Sequence, residues 1–441
     1  VREADSRSTA ADGVVVHALA WLAVGNLVGL LLATLLLAPA LGDLIAPLGY
    51  GRWMALHLDA QLYGWLGAPL VGLLLRLFVR LEDRRRVSGP VLGIWSGTLL
   101  FGCLSWLAGS NSGKPFLEWS GSAAVVLALG LSAVGLLLLI AHAREWVDVR
   151  RSGRAVPAAL LLKGTLLILL LPVPLVMHRA SQPGVYPPIN PASGGATGGS
   201  LLGSSLLVVG IFLVTPLVLG LERRCRGFGA KPLFAVLLAH GCWFALLDHG
   251  DRSHHEPLQI ISLASLVIWL PLLARYLGSY RWSPAARLWL RSLAVWGCLL
   301  LATGTLSFLP GVLEAEKFTH ALVAHAHIAM AGMASSFSMS VLLGLDSERR
   351  HHAVLGSRPR FLLWQLGLAL HVSALIALGA LEAVDPGVLF RAGPVGRTLY
   401  QVRWGAGLMM LWASLGWLAA AARVSLRERV PRRAAAGTEV W

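Results

Sequence analysis

Long apolar stretches alternate with short polar, arginine-rich ones along the whole chain. Runs of about 20 apolar residues, the length an α-helix needs to cross a bilayer core, fall near 14–40, 53–79, 90–110, 122–143, 156–177, 200–221, 232–248, 257–278, 286–309, 318–345, 361–382 and 400–423. The pattern predicts an all-α polytopic membrane protein of about twelve transmembrane helices. Connections this short leave no room for a soluble domain. The expectation is therefore a single membrane domain over 14–423, with a cytoplasmic tail at 1–13 and a basic cytoplasmic tail at 424–441. The first run is too long for a signal-peptide core and reads as a retained span.

Composition strengthens the membrane reading and adds an orientation. The chain is 56% hydrophobic and 13% charged, with a formal net charge of +15. Basic clusters recur on every second connection: Arg76 to Arg86, Arg144 to Arg154, Arg223 to Lys231, Arg275 to Arg291, Arg349 to Arg360 and Arg423 to Arg433. The other connections carry only scattered cations such as Arg52, Lys114 and Lys317. The positive-inside rule then puts both termini in the cytoplasm, and a bacterial inner membrane is the expected location. The charge is accounted for by topology and argues against a nucleic-acid partner. Cys103, Cys225, Cys242 and Cys298 show no CxxC or CxxCH spacing, which excludes a disulfide framework, a zinc ribbon and covalent haem attachment.

The candidate chemistry lies in the fourteen histidines. His325 and His327 sit inside an apolar run, and residues i and i+2 of a helix point to nearly opposite sides. The pair cannot clamp one metal, but it can present one imidazole to each of two cofactors flanking the helix. His57 falls at a similar depth in the second run. Imidazoles on two helices at matching depth could supply both axial ligands of a haem, leaving the third for a second haem. The competing reading is three buried histidines satisfied by carbonyls. His17, His142, His178, His351, His352 and His371 read as solvated or interfacial, and His320 as an interfacial residue or a propionate contact.

A histidine in span two followed by Gln61-Leu62-Tyr63-Gly64-Trp65, with His-Ala-His in span ten of twelve, resembles the catalytic subunit of the haem-copper oxidase superfamily. That superfamily includes cytochrome oxidase subunit I and the nitric oxide reductases. The resemblance implies that His57 and His327 are the axial pair of a low-spin haem and that His325 is the proximal ligand of a high-spin haem. It further implies other subunits of a respiratory complex and an outer-side electron carrier such as cytochrome c.

The family's second metal, copper or non-haem iron, is held by one histidine in span six and a His-His pair in span seven. Span six here has no histidine, and span seven keeps only His240, followed by Gly241. His240 is thus a possible remnant of a degenerate second-metal site, because one imidazole does not make such a site. The loop His249, Asp251, His254, His255 and Glu256 reads either as a small surface metal site or as a solvated polar loop. Lys163, within span five, is the candidate for proton uptake, with snorkelling to the interface as the alternative. The proline- and glycine-rich segment 178–199 reads as a cofactor lid, a docking loop or a plain connection.

Three functions follow. The first is a haem-binding membrane redox subunit of a respiratory electron-transfer complex lacking the copper centre. The second is an oxygen or nitric oxide reductase with an atypical metal site. The third is a twelve-helix secondary transporter, which leaves His-Ala-His without a purpose.

Overall fold

The computed structural model describes residues 2–153, 155–224, 229–389 and 393–427. Cys225 and most of the basic C-terminal tail lie outside the described residues. The protein is an all-helical polytopic membrane protein. Eleven described helices are long and apolar enough to cross a membrane. They are α1 (Ala11–Leu37), α2 (Tyr50–Phe78), α3 (Arg84–Leu107), α4 (Gly121–Arg151), α5 (Ala158–Ser181), α6 (Gly198–Val218), α8 (Pro257–Gly278), α9 (Pro284–Ser307), α10 (His320–Leu345), α11 (Arg358–Val384) and α12 (Pro394–Arg427). A shorter apolar helix, α7 (Ala230–Leu246), completes the series at the place of the seventh predicted run. Helices dominate because hydrocarbon offers backbone N–H and C=O groups no partner except each other.

Local chemistry sets the helix ends. Thr197 accepts from the Ser200 amide at 3.1 Å to open α6, and Ser283 accepts from the Ala286 amide at 3.2 Å to open α9, with Pro284 in the first turn. α5 is interrupted between Leu170 and Val173 at Pro172, which has no amide to donate. The first helix begins at Arg2, so the polar segment expected as a tail is largely helical.

The chain forms two compact units. The first comprises Val1–Val185, Val341–Trp364 and Gly407–Trp441, and the second Tyr186–Ser340 and Gln365–Ala406. In the first unit the indoles of Trp106 and Trp119 meet edge to face at 5.0 Å within a buried cluster that includes Ala55, Ala60 and Leu99. The Lys114 ammonium donates to the carbonyls of Ala180, Gln182 and Val185 at 2.6–2.8 Å, closing the end of α5 where the helix dipole favours a cation. In the second unit Tyr276 donates to the Leu213 carbonyl at 2.7 Å and fixes α8 against α6. Only 11% of the α5 span is buried, so this helix turns nearly all of its surface outward.

Candidate functional site

Two π-helical segments of seven residues occur among the described residues, Ala60–Leu66 in α2 and Ile328–Ala334 in α10. Each begins three residues after a histidine, His57 in one case and His325 in the other. Such widened turns recur at functional sites because they re-aim side chains within an otherwise regular helix. Around each, the same residue types stand at the same spacing. A Cβ on Gly64 would lie 2.6 Å from the Trp21 ring, and one on Gly332 would lie 2.7 Å from the Trp296 ring. A Cβ on Gly29 would lie 2.8 Å from His57 Cε1, and one on Gly304 would lie 3.0 Å from His325 Cε1. The device therefore occurs twice: a histidine, a widened turn, a glycine under a tryptophan, and a second glycine leaving room for the imidazole.

The hydrogen bonds decide which ring nitrogen each histidine can offer. His57 Nδ1 is 2.8 Å from the Gly25 carbonyl, in the first unit. His327 Nδ1 is 2.8 Å from the Val323 carbonyl, in the second. A carbonyl only accepts, so both rings carry their proton on Nδ1 and their lone pair on Nε2. His325 Nδ1 lies 2.9 Å from Thr303 Oγ1, and that hydroxyl already donates to the Leu299 carbonyl at 2.9 Å. Thr303 must accept from His325, which gives the same tautomer. An N–H held by an oxygen acceptor, which puts the lone pair on Nε2, is the arrangement that orients a metal-ligating imidazole.

His325 also lines a cavity of about 500 Å³, wholly within the second unit. Its wall is mainly apolar, from Leu263, Leu266, Leu301, Phe308 and Phe318, with Ser193–Ala196 of the long proline- and glycine-rich segment along one side. Volume and lining suit a prosthetic group.

His240 differs from these three. The Trp269 indole N–H donates to its Nδ1 at 3.0 Å, which places the proton on Nε2, 2.7 Å from Ser265 Oγ. Both ring nitrogens are engaged, so His240 offers no lone pair to a metal without giving up the Trp269 bond. Lys163 Nζ is 3.3 Å from Glu145 Oε2 of α4, a pairing that lowers the cost of a cation within a span and that the sequence did not foretell.

Three histidines expected to be solvated or interfacial are buried. His371 packs its ring at 4.6 Å from that of His327, His351 of the α10–α11 connection is buried 3.5 Å from Asp12, and His142 is buried on α4. Apolar-run boundaries show depth, not which face of a helix turns inward. His320 joins a buried polar network. Its Nδ1 is 2.5 Å from Glu382 Oε1, its amide donates to Glu382 Oε2 at 2.7 Å, and Arg403 Nη1 lies 3.0 Å from its Nε2. Opposite charges bracket one imidazole here. Glu382→Gln removes the buried anion on one side of the His320 imidazole, across from the Arg403 guanidinium, and a loss of about 3 kcal/mol is expected. Thermal unfolding in detergent, compared with the exposed control Asp43→Asn, measures it; equal midpoints would rule the network out as a source of stability.

Sequence reasoning did not foresee Glu314. His254 Nε2 and His255 Nε2 lie 3.0 and 2.5 Å from Glu314 Oε1, whereas His249, Asp251 and Glu256 do not join them. The His255 hydrogen bond is the main cause that holds the Glu314 carboxyl down at about 2, so it is ionised at neutral pH.

No family model and no curated protein matches this chain. A solved haem-copper terminal oxidase dimer contains a chain similar to it over 95% of this chain and 84% of that one, with a TM-score of 0.51 and 12% identity. At that identity the likeness is one of fold, an all-helical membrane bundle as expected from the apolar runs.

Proposed function

We propose that this protein is a haem-binding redox subunit of a respiratory electron-transfer complex, built on the oxidase fold and without the copper centre. The observation that carries the reading is His325, fixed by Thr303 with Nε2 as its lone-pair nitrogen, in the wall of a cavity large enough for a haem. His325 would hold a high-spin haem, and His57 and His327 would each offer an imidazole to a low-spin haem. Bound there, haem supplies a one-electron carrier, and at His325 an open coordination position for a small gas. The protein's part is to hold each imidazole in one tautomer and to surround the group with apolar side chains that exclude water. His240, with both nitrogens engaged, disfavours oxygen or nitric oxide reduction at a second metal. In this reading the protein lies in a bacterial inner membrane with both termini cytoplasmic. It exchanges electrons with an outer-side carrier such as cytochrome c, is accompanied by other subunits, and takes up protons at Lys163.

Reduced-minus-oxidised spectra of the purified protein, with carbon monoxide addition and metal analysis, test this directly. Two spectrally distinct haems are expected, only one of them reactive with carbon monoxide, and no copper. Absence of haem would sink the proposal, and stoichiometric copper would restore the reductase reading. Thr303→Val removes the acceptor of the His325 N–H, and about 10- to 100-fold weaker retention of the carbon-monoxide-reactive haem is expected. Haem loss to apomyoglobin measures it, and unchanged transfer would show that Thr303 does not orient the ligand.

A further inference from the structure

The two histidine turns share a further feature, and it lies on a third helix in each case. The Trp21 ring packs on Gly64, and its indole N–H donates to Ser96 Oγ of α3 at 3.2 Å. The Trp296 ring packs on Gly332, and its indole N–H donates to Gln365 Oε1 of α11 at 2.8 Å. Four residues before each tryptophan, hence on the same helix face, a second polar side chain meets the same partner. His17 Nδ1 lies 2.7 Å from Ser96 Oγ, and Gln365 Nε2 donates to Ser292 Oγ at 2.8 Å. We propose that Ser96 and Gln365 are positioning residues, each clasping the tryptophan packed on one histidine turn and so setting the orientation of that turn's imidazole.

Every proton of the second clasp can be assigned. An indole nitrogen only donates, so the Gln365 carbonyl oxygen faces Trp296 and its amide nitrogen faces Ser292. Ser336 Oγ gives its proton to the Gly332 carbonyl at 2.7 Å, so Ser292 donates to Ser336 across 2.8 Å. The chain runs from Gln365 through Ser292 and Ser336 to Gly332. Gln365 therefore holds the ring that covers Gly332 and, through two serines, the carbonyl of Gly332 itself. Ser292 and Ser336 are 8% and 0% exposed, so the chain is shielded from solvent. The first clasp is shorter, with one hydroxyl serving both Trp21 and His17.

The link to the imidazoles is covalent. The helix that carries each clasped tryptophan also carries the acceptor for the histidine N–H, Gly25 on α1 for His57 and Thr303 on α9 for His325. A tryptophan helix that shifts takes its acceptor with it. Polar side chains on neighbouring membrane helices bond to one another wherever they meet. The same four-residue spacing beneath two candidate haem ligands is what gives these bonds a role. That role rests on the haem reading.

The test uses the full chain in detergent. Gln365→Leu removes both bonds of the second clasp, and Ser96→Ala those of the first. In Gln365→Leu the carbon-monoxide-reactive haem should pass to apomyoglobin about tenfold faster, with a shifted midpoint potential, while the low-spin haem keeps its parental values. Ser96→Ala should do the converse. Gln365→Glu, which keeps an acceptor for Trp296, should restore parental retention. Equal effects on both haems, or none on either, overturn the assignment. A haem-free arm separates failure of the clasp from failure of the haem reading. In apoprotein carrying isotope-labelled tryptophan, the Trp296 indole N–H resonance, identified with Trp296→Phe, should move and exchange faster with solvent in Gln365→Leu. The Trp21 resonance should stay in place. A stationary Trp296 resonance overturns the clasp whether or not the protein binds haem.

Discussion

Replacing His325 by glycine is expected to remove the carbon-monoxide-reactive haem while the low-spin spectrum of the other persists. The geometry makes the outcome asymmetric. His325 is the imidazole in the wall of the large cavity, and its Nδ1 is committed to Thr303 at 2.9 Å. His57 takes its orientation from the Gly25 carbonyl, in a different unit. A shared loss of both haems would mean that the substitution unfolds the chain, so a second arm is needed. Exogenous imidazole added to His325→Gly should enter the vacated space beside Gly304, where a Cβ would lie only 3.0 Å from His325 Cε1 and glycine leaves room for the ring. Return of the carbon monoxide difference spectrum identifies His325 as a ligand. Retention of that spectrum in His325→Gly without imidazole would refute the assignment. His57→Ala is the converse and should abolish the low-spin band alone.

The fold was legible because a bilayer imposes it: apolar runs of the right length must be helices, and each of the twelve predicted runs corresponds to a helix within several residues. The candidate ligands were legible for a related reason, since an imidazole within a span is costly enough to demand a purpose. The settings of those imidazoles were less visible. The Trp21–Gly29 and His57–Gly64 spacings recur as Trp296–Gly304 and His325–Gly332, and this repeat could have been read from the chain. It matches His325, not His327, to His57, and Asp59 takes the place of His327 in the first copy. The π-helical turns that follow both histidines leave no composition signature, because they arise from packing. Glu314 was invisible for another reason. It joins His255 from 59 residues away, and only the folded connections bring the two together. His240 shows what side-chain identity alone cannot give, because the Trp269 and Ser265 contacts, not the residue type, decide whether it has a lone pair to donate.

Gly379→Ala is expected to be among the most damaging single-methyl substitutions in the chain. A Cβ at Gly379 of α11 would lie 2.3 Å from the Ala321 amide nitrogen and 2.8 Å from its Cα. Those are backbone atoms of the first turn of α10, so no rotamer change relieves the clash. The two helices must separate, and in a membrane such close approach of small residues is a principal source of helix association. Overpacking of this kind costs about 3 kcal/mol. The separation would act on function too. Ala321 lies four residues before His325 on the same helix, and His320 beside it donates its backbone amide to Glu382 of α11. Gly241→Ala on α7 is the control: a Cβ there meets nothing within 4 Å, and alanine favours a helix over glycine by up to about 1 kcal/mol. Thermal unfolding and haem content of both variants decide the matter. Gly379→Ala should lower the midpoint and release the carbon-monoxide-reactive haem, whereas Gly241→Ala should match the parent. If the two variants behaved alike, close contact between α10 and α11 would not be what holds the His325 turn in place.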